Sequence, residues 1–470
     1  MPQAGITPIN RTAASASRLV WLLAAALLLA LALAKFVYHD TLRLEYPVND
    51  LTNPWVASQA FLHGKDPYGD MQEFATIWAA RGAPPSAQYQ DYSRILADLP
   101  MLYPPTTLAL IAPLGLFHWH TAVWIYVIGS ITLFIFGIVV LARNFSLPWS
   151  DPRKLYFVAF VLAMAPLHLG SQCANLITLT VVCVCVGVAL EPKRPTWSGI
   201  AIAIAVCLKP QVAIWFFAYT WLRKKWKTGI AALVVCVIIS ACSLMWMEIH
   251  HVEWFRSFLN ALLQSTAPGG VNSVSAPGAL KFQMINLQAL TFQFTGSLRW
   301  SGILAWAIFL VLAGAAAFLI RSRVSDRNES VGIAIVAVLT LLPVYQRFHT
   351  AEILLFVVYW AVQNSRLKGA RATLLLMLPL LFPFVPWLVV YAGVPLQFPS
   401  HHASLAAKVA VAVERFVKGQ NLSQSILWNG FVLPHVIWIE LILLVILLAS
   451  LYRQSPIASA PPLAAAEPPQ

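Results

Sequence analysis

Apolar runs recur along this chain at about 121–143, 154–169, 173–190, 196–222, 228–247, 301–320, 331–343, 351–363, 372–391 and 428–451, separated by short polar punctuation. An earlier run follows Arg11 and Arg18 and extends from Leu19 to Tyr38. Its Ala32-Leu33-Ala34 resembles a signal cleavage site, but the run continues past Lys35 to about 20 residues, enough for a retained anchor of roughly 30 Å. The pattern predicts an all-α, polytopic transmembrane protein with about twelve spans.

One run resists a single-helix reading. A straight helix over 196–222 would put Lys193-Arg194 and the cluster Arg223 to Lys227 on opposite faces of the membrane, with Lys209 near its centre and Pro210 breaking the ladder. Two short helices joined at Lys209-Pro210 remove all three problems. Each arm then spans only about 20 Å and needs shielding by protein. With the N-terminus cytoplasmic, the basic clusters at 143–154, 193–194, 223–227, 321–327, 366–371 and Arg453 all fall inside, as the positive-inside bias requires. Parity then demands that 104–118 not cross, so it reads as a short re-entrant or in-plane helix. Residues 1–453 form one integral-membrane domain with outer segments at 39–120, 248–300 and 392–427, and the Pro- and Ala-rich 454–470 reads as a disordered tail.

Composition sharpens this picture. Only 10% of the 470 residues are charged and 59% are apolar, with mean hydropathy +0.72, which excludes a soluble enzyme, a disordered chain and a nucleic-acid binder. The net charge of +13 points first to cytoplasmic loops and second to a phosphate-bearing ligand. Of the six cysteines, none has metal-site or redox spacing.

Candidate chemistry gathers on the expected outer face. Asp50 follows the first span by about a dozen residues, where a carboxylate can serve as general base; Asp40, Asp66, Asp70, Asp91 and Asp98 share its loop. Tyr103-Pro104-Pro105 opens the short helix, with proline natural in a first turn. Gly170-Ser-Gln172-Cys-Ala-Asn175 occupies a tight turn, its glycine suited to the turn and its amides suited either to sugar hydroxyls or to helix ends. Lys209 and Tyr345-Gln-Arg347-Phe-His349 bring cations to hairpin tips, where an anionic ligand, a structural acid such as Glu352, or lipid headgroups would account for them. His250-His251-x-Glu253 suggests a metal, yet adjacent histidines point to different helix faces and no third ligand is spaced to join them, which favours interfacial-helix chemistry.

Taken in order, Asp50, Lys65-Asp-Pro-Tyr68, Tyr-Pro-Pro at 103–105, Pro-Leu-Gly at 113–115, Gly-Ser-Gln-x-x-Asn at 170–175, Leu-Lys-Pro at 208–210 and Leu-Leu-Pro-Val-Tyr-Gln-Arg-Phe-His at 341–349 resemble the membrane-embedded glycosyltransferases of the C superfamily. The resemblance is specifically to family 87, polyprenyl-phosphate-mannose-dependent mannosyltransferases, and covers roughly residues 19–451. It implies an inverting transfer of a sugar, mannose by analogy, from a polyprenyl-phosphate donor to a hydroxyl of a lipid or glycan acceptor. The implied setting is the outer face of a bacterial-type inner (plasma) membrane. Asp50 would be the base; Lys209, Arg347 and His349 would hold the donor phosphate; Tyr103, Gln172, Asn175, Asn286, Gln288 and Tyr345 would line the sugar and acceptor pocket. No cofactor and no divalent metal is expected. The competing classes are a transporter or flippase of lipid-linked sugars, which calls for charge deeper in the membrane and on both faces, and a lipid-linked-sugar ligase or polymerase, which lacks a base near the first span.

Overall fold

The computed structural model describes residues 8–37, 50–69, 101–145, 147–275, 284–382, 428–432 and 434–453. These residues are helical apart from turns and one isolated bridge between Met284 and Arg347. From the N-terminus, α1 (Pro8–Lys35) is long, α2 (Thr52–Leu62) and α3 (Pro105–Ile111, prolonged as a 3₁₀ turn to Leu116) are short, and α4 (Trp119–Arg143) is long. Next come α5 (Pro152–Ala163), α6 (Ala165–Gln172), α7 (Ile177–Leu190), α8 (Pro195–Leu208) and α9 (Pro210–Leu222), all short. The long α10 (Trp226–Ile249) is followed by α11 (Trp254–Thr266), α12 (Leu287–Thr295) and the long α13 (Leu298–Arg323). α14 (Glu329–Leu341), α15 (Leu355–Gln363, entered through a 3₁₀ stretch from Phe348), α16 (Lys368–Met377) and α17 (His435–Arg453) complete the described chain.

Length follows exposure to lipid. α1 from Ser17, α4, α10, α13 and α17 are the five described helices long and apolar enough to cross a membrane, and they turn Leu27, Ile128, Val237, Val311 and Val445 outward. A helix facing lipid must carry its backbone bonds through the whole hydrocarbon layer, whereas one enclosed by protein can be short. α14 and α15 are enclosed: every residue from Val331 to Leu341 and from Leu355 to Val362 is buried. Of about twelve expected crossings, the described residues thus supply five by length, or six if α5 and α6 form one bent span, while the other runs become shorter helices. The run 154–169 is not one straight helix, because it bends by 44° between Ala163 and Ala165. Pro166 causes the break, having no N–H for the Leu162 carbonyl, and the ring of His168 bonds that oxygen at 2.8 Å.

The 196–222 run is the hairpin that its charges require. Its two open ends meet at the start of α10, where Gly199 packs so closely that a Cβ there would lie 2.4 Å from the Thr228 carbonyl, while one on Gly229 would lie 3.1 Å from Thr220 Oγ1. Lys225, just beyond α9, bonds Glu191 just beyond α7 at 2.6 Å and also pairs with Glu329 at the head of α14. The expected inner clusters share this end of the bundle: Arg18 donates to the Ser150 carbonyl, Asn144 to that of Ala189, and Arg153 to Ser365 Oγ. Arg153 also grips Asp151, the N-cap of α5, and its hydrogen bonds hold that carboxyl below the ordinary aspartate range. The 105–116 segment stays at the opposite end throughout. Thr107 Oγ1 donates to the Cys207 carbonyl at 2.8 Å, and the far end of the segment accepts from Trp55 Nε1 at Leu114 O, 3.1 Å away, so it does not cross.

Two outcomes follow. Cysteines placed singly at 193 and 224, both exposed, should label from the same side of sealed vesicles; labelling from opposite sides would break the hairpin. Gly199→Ala should destabilise the protein by about 1–3 kcal/mol, read as an earlier thermal transition. Gly314→Ala on α13, where a Cβ meets nothing within 4 Å, should leave the transition unchanged or raise it slightly.

Candidate functional site

Two proline breaks build the end of the bundle opposite Lys225. At Lys209-Pro210 the helical ladder stops, and the freed carbonyls of Cys207 and Leu208 accept instead from Thr107 Oγ1, 2.8 and 3.1 Å away, with Thr106 adding a third bond at 3.1 Å. At the Pro166 break, Lys35 at the end of α1 donates to the Ala163 carbonyl at 2.5 Å. Hydroxyls and an ammonium thus replace the missing amide donors, and the chain can expose side chains where a continuous helix would hide them.

Asn175 joins the turn after α6 to the break at Lys209-Pro210. Its Nδ2 donates to Asp50 Oδ2 at 2.7 Å, and its Oδ1 accepts from Lys209 Nζ at 2.9 Å and from the Ile177 amide at 3.0 Å, the last bond starting α7. Its own carbonyl takes the Tyr126 hydroxyl at 2.7 Å. The Asp50 amide bonds the Cys173 carbonyl at 2.6 Å, so the residue is tied by main chain and side chain to the turn after α6. That turn carries a left-handed residue, Ala174, with φ +46°. Gly170 plays a different part from the turn-former expected. It lies inside α6, and its missing side chain makes room for Glu352, whose Oε1 would be 2.1 Å from an added Cβ.

Around this bridge the polar residues form a rim and a floor. Asp50, Tyr103, Gln172, Tyr345 and Arg347 are half-buried, while Asn175, Lys209, His349 and Glu352 are buried. Arg347 sits 5.5 Å from the Tyr345 ring centroid and within electrostatic reach of Asp50, and Lys209 feels Asp50, Glu352 and Arg347. His349 lies within the field of both cations, and Tyr103 within that of Asp50, Tyr345 and Arg347. Among the described residues, neither Lys209 nor Arg347 is ion-paired with a carboxylate, and Arg347 Nε is buried without a hydrogen-bond partner. Glu352 accepts from Thr178 at 3.1 Å through Oε1, while its Oε2 and the Ser171 hydroxyl are buried without partners among the described residues. Unspent cationic donors beside one half-exposed carboxylate suit a ligand that brings an anion and a hydroxyl.

Two expected pocket residues make local bonds. Asn286 caps α12, accepting from the Ala289 amide at 3.2 Å, and Gln288 donates to the Leu298 carbonyl at 3.4 Å. Their segment nonetheless runs beside the site, since the Ile285 amide bonds the Gln346 carbonyl at 3.0 Å. Asp66 accepts the Tyr68 amide at 2.9 Å, an Asx turn, and the Tyr68 hydroxyl donates to the Tyr103 carbonyl at 2.8 Å. Burial, with Asp66 adding to it, pushes the Tyr68 phenol well above its ordinary range, so it stays a donor. Asp40, Asp70, Asp91 and Asp98, the 392–427 segment and the 454–470 tail lie outside the described residues. Tyr126 and Thr178 are polar contacts that sequence reasoning missed; both sit within apolar runs where no spacing marks them. Among the described residues, no three His, Cys, Asp or Glu side chains converge as metal ligands would.

Residues 101–344, more than half of the chain, match glycosyltransferase family 87. No curated protein and no solved structure matches. The match spans α3 to α14 and takes in Tyr103, Gln172, Asn175 and Lys209, of which Asn175 bonds both Asp50 and Lys209. The chain belongs to glycosyltransferase family 87 and is a membrane glycosyltransferase.

Proposed function

We propose that this protein is an inverting transferase moving a sugar, mannose by family analogy, from a polyprenyl-phosphate donor to a hydroxyl of a lipid or glycan acceptor on the non-cytoplasmic face of a bacterial-type plasma membrane. The observation that carries the reading is the Asn175 bridge, which fixes the carboxylate of Asp50 and the ammonium of Lys209 on one amide group, 2.7 and 2.9 Å from its two ends. Asn175 occupies Asp50 Oδ2 and leaves Oδ1 available to accept a proton. In the transfer, Asp50 removes the proton of the acceptor hydroxyl, that oxygen bonds to the anomeric carbon, and the bond from this carbon to the phosphate oxygen breaks. The departing lipid phosphate gains negative charge, which Lys209 and Arg347 stabilise; Arg347 presents a planar fork and Lys209 a point charge. His349 is buried within the field of both cations, where an imidazole hydrogen bond to the phosphate fits. Gln172, Tyr103 and Tyr345 at the half-buried rim suit contacts to sugar and acceptor hydroxyls. The gathering of Arg18, Arg153, Arg223 and Lys225 at the other end of the bundle supports the outward orientation of this one. A transporter reading gains less support, because most of the described charges cluster at the two ends, the buried Glu352 belongs to the site's own floor, and Glu440 on α17 is the one further buried acid among the described residues.

Asp50→Asn keeps the bond from Asn175 within reach of an amide rotation but removes the proton acceptor. Turnover with a synthetic polyprenyl-phosphate sugar should fall about 10²-fold or more while donor binding persists. Asp66→Asn, altering only a turn, should chiefly lower the melting temperature; near-normal turnover in Asp50→Asn would overturn the mechanism. For the donor, Arg347→Ala and Lys209→Ala should each weaken binding about tenfold or more, measured by titration with the donor analogue, and Arg347→Lys should restore only part of the loss. Unaltered affinity in both alanine variants would reassign the two cations to structure.

A further inference from the structure

The helix α11, which follows α10 across an elbow at His250 to Glu253, has three faces rather than two. Ala261 and Ser265 are buried and Trp254, Ser257 and Phe258 half-buried, so small side chains and two aromatic rings face protein. Phe255, Leu259, Leu262 and Leu263 are 39–63% exposed, and Arg256, Asn260 and Gln264 are exposed as well. At 3.6 residues per turn these groups centre about 120° apart around the helix.

Such a helix fits neither bulk solvent nor the hydrocarbon core. In water it would display four large apolar side chains in one stripe, and across the membrane its polar third would face acyl chains while its 13 residues span only about 20 Å. The boundary between lipid and water satisfies both exposed faces at once. The apolar stripe also continues an existing lipid-facing surface, because Met245 and Ile249, the last outward residues of α10 before the elbow, are themselves 61% and 67% exposed.

We propose that α11 lies in the interfacial layer of the leaflet at the Asp50 end, with Phe255, Leu259, Leu262 and Leu263 among the upper acyl chains and Arg256, Asn260 and Gln264 in water. Its partner is the bilayer surface, and the inference needs only that the chain is an integral membrane protein, whatever donor it uses. The helix is mechanically joined to the site. Phe258 meets the Tyr68 ring edge-on at 5.1 Å between centroids, and Tyr68 holds the Tyr103 carbonyl. On the same side, Trp246 Nε1 donates to the Phe61 carbonyl at 2.7 Å, and the His250 ring fills the space left by Gly64, with φ +67°, just after α2. The seat of α11 in the membrane therefore sets the height of the segment that begins at Asp50.

The test places nitroxides singly at 255, 256, 259, 260, 262, 263 and 264 of the full chain, with native cysteines replaced, in phosphatidylcholine vesicles. Collision rates with oxygen and with a water-soluble nickel chelate are then compared. Positions 255, 259, 262 and 263 should favour oxygen several-fold, and 256, 260 and 264 the chelate, in a helical period. A parallel measurement needs no substitution: the native chain in phosphatidylcholine nanodiscs doped with a lipid carrying a photoactivatable group high on its acyl chain should be labelled at the four apolar positions, as mapped by mass spectrometry. Chelate access at all seven positions would place α11 in water. Shielding of the apolar positions from both reagents, with no lipid adducts, would mean that protein covers the stripe. Either result overturns the proposal.

Discussion

Backbone carbonyls that lose their helical partners inside a membrane must find donors elsewhere, and nearly everything at the Asp50 end of this protein answers that demand. Pro166 and Pro210 each delete one amide donor. His168 and Lys35 serve the first break, and Thr106 and Thr107 serve the second. The repairs by Lys35 and the two threonines reach across the fold, from α1 to α5 and from α3 to α8, while that by His168 is local, from α6 back to α5. The breaks are thereby the points at which separate helices are locked together.

The locked breaks in turn present the site. Lys209 stands at its tip because the helix ends there, and the turn after α6 brings Asn175 to meet it. Asn175 then distributes charge. One end of its amide steadies a carboxylate and the other an ammonium, so the two are held near each other without neutralising in a direct ion pair. An ion pair would have satisfied both and left little for a ligand. The opposite end of the bundle shows the contrast, for there Lys225 is taken up by Glu191 and Glu329 together. Similar residue types make a staple at one end and an open site at the other.

Much of this was legible in the chain. Hydropathy runs gave the helical membrane class, and the conflict between Lys209, Pro210 and two flanking basic clusters gave the hairpin, because charge and proline carry large, local penalties in lipid. The family resemblance carried by the ordered motifs groups Asp50, Asn175 and Lys209, and the two bonds from Asn175 join them. What sequence reading did not yield depends on distant partners. The bend between Ala163 and Ala165 hides inside an apolar run, since a proline in such a run is also compatible with a kinked continuous helix. Gly170 looked like a turn former, and only the approach of Glu352, far along the chain, explains its lack of a side chain. Asn286 and Gln288 were marked by motif, but their bonds to Ala289 and Leu298 are those of a helix cap and its neighbour.

The short hairpin of α8 and α9 has a further consequence for how the protein is made. At 14 and 13 residues, neither arm alone reaches across the roughly 30 Å of hydrocarbon that a nascent segment must span to be held there. The two arms therefore depend on each other and on the helices around them to stay in the bilayer, with Lys209 at the tip of the pair. Thr106 and Thr107, which bond the carbonyls of Cys207 and Leu208, precede the hairpin in the chain, so a ribosome makes these donors before the acceptors they serve.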